Sequence, residues 1–124
     1  MENGYKSINN VLIKREYTMS YYLVKFVHTD MKGWQQHIRD HAIYLYQLVE
    51  SGDLLVSGPV ENEDKSKLEA YLVLKANNED QLMSLLKADP FWKEGLVADY
   101  TIEQWTPMFG KPENIEITSP IEED

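Results

Sequence analysis

The chain has 124 residues, enough for one domain with its own core and too few for two. Its 12 basic and 21 acidic side chains give a net charge of −9, and the bases are scattered, which argues against a nucleic-acid surface, where phosphates recruit clustered Lys and Arg. The absence of cysteine excludes disulfides, thiolate catalysis and sulfur-ligated metals, and no apolar run approaches the roughly 20 residues of a membrane span.

Residues 1–18 are polar and aperiodic around the short run Val11-Leu12-Ile13 and carry Glu2 and Glu16. They read as an extension, neither secretory signal nor transit peptide, and a cytoplasmic protein is expected. The domain is expected over residues 19–107. Its first strand is Tyr21 to Val27, rich in aromatic and β-branched residues. Thr29 to Gly33 breaks it. An amphipathic helix then runs from Trp34 to Ser51, where Gly52 supplies a left-handed stop. At about 100° per residue, Trp34, Ile38, His41, Leu45, Leu48 and Val49 share one face. Leu54 to Val60 is strand two, Glu61 to Lys67 a solvated connection and Leu68 to Ala76 strand three, paired with strand two as a hairpin. Asn77 or Asn78 caps a second helix, which has Leu82, Leu85 and Leu86 on its apolar face and ends before Asp89-Pro90. Phe91 to Gly95 is a turn or half-helix, and Val97 to Trp105 is strand four.

The order β-α-β-β-α-β is that of a ferredoxin-like α+β domain, a four-stranded antiparallel sheet with two helices on one face. Pairing of strands one and three is expected to be parallel and to set the helices side by side. Strand one offers Tyr22, Val24 and Phe26 on one side and Tyr21, Leu23 and Val27 on the other. The second sheet face is therefore too apolar to stay uncovered, and a homodimer packed sheet against sheet is expected. Residues 108–124 form an acidic tail. Its alternating Ile115-Glu116-Ile117-Thr118 suits an edge strand or an arm, but disorder is the commoner state of so polar a terminus.

Few residues offer chemistry. His41 sits where a leucine would serve a core face better. It is either a structural imidazole with both nitrogens paired or a titratable group presented to a pocket. Asp89 either caps the turn after it or accepts a hydrogen bond from His41, fixing its tautomer and leaving the other nitrogen as general base or acid. Ser57, Gly58, Pro59 and Phe91 are the expected substrate-binding residues, with Gly58 allowing close backbone approach and no elbow motif to make Ser57 a nucleophile. His37 and His41 have the i, i+4 spacing of metal ligands, but no surrounding motif supports a metal. His28 is expected at the surface. Trp34, Phe91, Trp92 and Trp105 read first as core or dimer contacts. No phosphate-cradling loop is present, and no cofactor is expected.

These features together resemble the YCII-related (YciI-like) family. The resemblance runs from Met19 to Trp105. It rests on His41 followed by Tyr44-Leu45 and Leu48, on Ser51-Gly52-Asp53-Leu54-Leu55 leading to Ser57-Gly58-Pro59, on Ala88-Asp89-Pro90-Phe91 with Gly95-Leu96, and on the closing Ile102-Glu103-Gln104-Trp105. It implies a dimeric α/β-barrel type of assembly and a pocket with a histidine and an aspartate as catalytic pair, which fall on His41 and Asp89. Most members of the family have no assigned function, but some look like lyases or dehydrochlorinases of hydroxylated aromatic rings, on a fold similar to muconolactone isomerase. Two positions depart from the pattern. Ile38 replaces an arginine three residues before the histidine, with Arg39 one place later, and Lys67-Leu68-Glu69-Ala70 lacks an expected glycine.

Two functions from different classes follow. One is an enzyme in which His41 and Asp89 perform acid/base chemistry, of lyase, isomerase or dehydrochlorinase type, on a small cyclic or enolisable substrate. The other is a dimeric, non-catalytic module that binds a small molecule or serves in stress. Neither involves nucleic acid or membrane.

Overall fold

The computed structural model describes residues 19–118; the expected extension at 1–18 and the last residues of the tail lie outside the described residues. Strict alternation makes β1 (Ser20–His28) the centre of the fold, burying Tyr22, Val24, Phe26 and His28 on one side. Helix α1 (Met31–Ser51) begins three residues before Trp34, because the Asp30 carboxylate accepts the Gly33 N–H at 2.9 Å and caps the first turn. It stops where Gly52 takes φ 85° and its N–H reaches back to the Leu48 and Val49 carbonyls. The remaining elements are β2 (Leu54–Pro59), β3 (Leu68–Ala76), α2 (Glu79–Lys87, capped by Asn78), α3 (Pro90–Lys93) and β4 (Asp99–Trp105).

The sheet order is β2-β3-β1-β4, and every neighbouring pair is antiparallel. The expected parallel pairing of strands one and three is thus corrected. α1 returns the chain so that β1 and β2 run the same way, the hairpin reverses direction, and β3 inserts between them antiparallel to both. The helices are neighbours because both crossovers lie on one face, where α3 touches α1 and α2. The fold is a small α+β domain with three helices, the third being the expected half-helix.

Val24, Phe26, Leu72, Leu74, Leu82 and Leu86 form the centre of the core, with Leu48 closing it from α1. The buried stripe of α1 is turned toward Tyr44, whose phenol donates to the Leu85 carbonyl of α2 at 2.8 Å, so Val49 is 48 % exposed rather than part of the core. Gly33 is required where α1 meets the segment before β4: a Cβ there would lie 2.5 Å from a Leu96 methyl.

The outer sheet face is mixed. Tyr21, Leu23, Val27 and Val73 are half-buried on it, interleaved with a Lys25–Glu69 ion pair at 3.5 Å. β4 is exposed along most of its length, and residues 106–118 beyond it carry one 3-10 turn at Pro112–Asn114. Ile115 to Thr118 adds no strand to the sheet among the described residues, and Phe109 is 97 % exposed.

Candidate active site

His41 is carried by the middle of α1, on the side that faces α3. Asp89 is placed by the chain break between α2 and α3. Pro90 forces a non-helical residue before it, and Asp89 adopts the extended backbone of an N-cap, φ −68° and ψ 131°. Its Oδ1 accepts the Phe91 N–H at 2.9 Å, and both carboxylate oxygens lie 2.9 Å from Nδ1 of His41. The two readings of Asp89 therefore hold together: one carboxylate caps α3 and engages the imidazole. It is 2 % exposed, and a carboxylate that far from water requires this saturation of its acceptors.

A carboxylate only accepts, so Nδ1 of His41 carries the proton and Nε2 is the nitrogen free to take one up. The imidazole lies flat on Phe91, centroids 4.0 Å apart and planes 10° apart, with Trp34 tilted against Phe91 from the first turns of α1 at 6.1 Å. Tyr44 completes this side. Burial first, then the charges of Asp89 and Asp53, push its phenol above the ordinary tyrosine pKa, so it serves as a neutral donor. His37, one turn before His41, sits 3.9 Å from Glu94, a long and half-exposed contact that contributes little. Among the described residues no three His, Asp or Glu side chains are grouped to hold a metal.

His28, expected at the surface, is 3 % exposed. Its Nδ1 lies 2.7 Å from the Leu96 carbonyl and its ring 4.8 Å from Phe91. The signal that would have found it is the period of two in Tyr22, Val24, Phe26, His28, which runs to the last residue of the strand. Burial lowers its pKa first, opposed by the Leu96 carbonyl, with smaller contributions from His41 (lowering) and Asp89 (raising).

Of the expected substrate-binding residues, only Phe91 joins the pair. Ser57, Gly58 and Pro59 lie on β2, an edge strand, with β3 between them and β1. Ser57 lies opposite Leu72 in the register and so on the helix-covered side, whereas Gly58 and Pro59 are exposed. A Cβ at Gly58 would meet nothing within 4 Å, so the close backbone approach expected there is not made within the protomer. A shallow groove of about 580 Å³ lies elsewhere, along the outer side of α1, lined by Ile43, Tyr46, Gln47, Glu50 and Ser51.

Sheet order and helix placement make this a ferredoxin-like α+β domain whose first helix rests an imidazole on a buried carboxylate. The chain belongs to the YCII-related domain family, whose model matches residues 14–106. Among solved structures it is similar to the 5-chloro-2-hydroxyhydroquinone dehydrochlorinase of Burkholderia phenoliruptrix AC1100, determined with 2,5-dihydroxybenzoquinone. Identity is 25 %, the TM-score is 0.59, and the match covers 69 % of this chain and 93 % of that one. An uncharacterized Thermotoga maritima protein matches at 18 % identity and a TM-score of 0.45, over 71 % of this chain and 96 % of the other. No curated protein matches the sequence. No described helix is long and apolar enough to cross a membrane.

Proposed function

We propose that the protein is a small acid/base enzyme, of lyase, isomerase or dehydrochlorinase type, acting on a cyclic or enolisable substrate. His41 moves the proton and Asp89 orients it. The observation that carries this reading is the pair of 2.9 Å contacts from His41 Nδ1 to both oxygens of a buried carboxylate. Held there, the imidazole is in one tautomer before substrate arrives, and a proton gained at Nε2 leaves an imidazolium beside a negative charge. Phe91, 1 % exposed, backs the imidazole from within the core and holds the plane of its ring. The dehydrochlorinase named above acts on a hydroxylated chloro-ring, which makes hydroxylated aromatics the first substrates to try, followed by short keto acids. Turnover abolished in His41→Gln and in Asp89→Asn supports the assignment. Turnover unchanged in both overturns it.

One observation favours a second reading, a non-catalytic small-molecule-binding module: the 580 Å³ groove lies on the outer side of α1 and includes neither His41 nor Asp89. Saturable binding of the same compounds without product, undisturbed by His41→Gln, would select it.

In either case the working unit is a homodimer joined through the outer sheet face around Leu23 and Val73. Half-buried apolar side chains in the middle of a sheet are the kind of surface a second copy covers.

A further inference from the structure

We infer that His28 is a positioning residue for the His41–Asp89 pair, acting through Phe91 and the Leu96 carbonyl; its bearing on catalysis rests on the reading above, its bearing on geometry does not. Phe91 lies between two imidazoles. His41 is stacked on it at 4.0 Å, and His28 meets it at 4.8 Å with planes inclined by 60°. His28 is in turn fixed from β1, where Phe26 meets its ring edge-on at 6.0 Å.

The carbonyl of Leu96 can only accept, so the 2.7 Å contact assigns a proton to Nδ1 of His28. This bond closes a short circuit of contacts. Asp89 accepts from Phe91 N–H at 2.9 Å, Leu96 N–H donates to the Phe91 carbonyl at 2.8 Å, and Ala98 N–H donates to Val27 at 2.8 Å. Residues 89–98, which carry both the carboxylate and the ring beneath His41, are thereby tied to the end of β1 by one side-chain and one backbone bond. Leu96 also fills the space over Gly33 that a Cβ would occupy, which couples the same segment to the start of α1. A shift of Leu96 is passed to Phe91 through its carbonyl, and from Phe91 to His41 through the stacked rings.

Isosteric and displaced donors at position 28 test this. In His28→Asn the amide N–H falls where Nδ1 lies; in His28→Gln it is carried one methylene further out. The readout is the tautomer and the ring-nitrogen shifts of His41, by long-range nitrogen–proton NMR on the full chain, with thermal unfolding followed on the same samples. A positioning role predicts that His28→Asn keeps the His41 signals of the native protein and His28→Gln moves them toward a mixture of tautomers. A residue that only fills space would lower the unfolding temperature in both variants and leave His41 unmoved. Unmoved His41 signals in a folded His28→Gln overturn the inference. Should His28→Gln not fold, His28→Asn decides: altered His41 signals there overturn the placement of the donor, and retained signals support it. If His41→Gln keeps full turnover while His28→Gln still shifts His41, the positioning stands and the catalytic reading falls.

Discussion

The ring of His41 lies on that of Phe91 with only 10° between their planes, and the amide of Phe91 is held by the carboxylate that holds His41. Phe91 is thus both core and support for the imidazole. Phe91→Ala is expected to cost about 3–5 kcal/mol, the range for truncating a buried phenylalanine. Chemical denaturation checks this. A loss under 1 kcal/mol would mean that the ring is not packed as described.

Asp89 is expected to contribute on the scale of a general acid/base assembly. Asp89→Asn keeps an oxygen to accept the Phe91 N–H but loses the charge, so it should fold while turnover falls by about 10²- to 10⁴-fold. Steady-state kinetics with the best hydroxylated aromatic found, set against thermal unfolding, separates the two effects. A fold lost in parallel with activity would count against the assignment.

Stability should depend on pH through His28. Burial lowers the pKa of the folded group below the ordinary histidine value of 6.5, opposed by the Leu96 carbonyl. The unfolded chain therefore takes up this proton first as pH falls. The contribution of neutral His28 is complete above about 6.5 and is lost as pH drops through the folded value. The titratable groups facing it are His41 from α1, whose positive form would lower that value further, and Asp89, which raises it. Urea denaturation at pH 7.5 and pH 5.5 should show a larger loss on acidification in the native sequence than in His28→Asn. Equal losses in the two would show that His28 is already charged in the fold.

Gly33→Ala should destabilise by about 1–3 kcal/mol through overpacking, since the new methyl would meet Leu96 and the Asp30 carboxylate, both at under 3 Å. Gly58→Ala meets nothing in the protomer. Comparing the two by thermal melting makes an internal control, and a penalty at Gly58 alone would point to a neighbour from a second copy.

The sheet-face dimer is tested by Leu23→Glu and Val73→Asp, both on the outer face. Light scattering coupled to size exclusion should give twice the chain mass for the native protein and the chain mass for the variants. A native protein of single-chain mass would remove the dimer.

Much of this arrangement was legible in the residues. β3 has the expected bounds, Gly52 ends α1 and Pro90 ends α2, because turn and cap chemistry act locally. Asp89-Pro90 told of a cap and His41 of an odd core position, and the two side chains do meet. What pattern missed was long-range. The partner that satisfies buried His28 is the carbonyl of Leu96, 68 positions away in sequence. The rotation of α1 that exposes Val49 depends on Tyr44 finding a carbonyl on α2. The separation of Ser57, Gly58 and Pro59 from His41 follows from β3 lying between β2 and β1, a matter of strand order that no local motif encodes.

One oxygen atom of Asp89 serves both the first amide of α3 and the imidazole of α1. The cap of α3 and the hold on the His41 ring thus draw on a single acceptor. In a mutational scan of this position, abundance and activity should part company for side chains that keep a short acceptor without charge, asparagine, serine and threonine, while larger apolar replacements lose both at once. That narrow gap is where an inactive but intact decoy of this protein can be found.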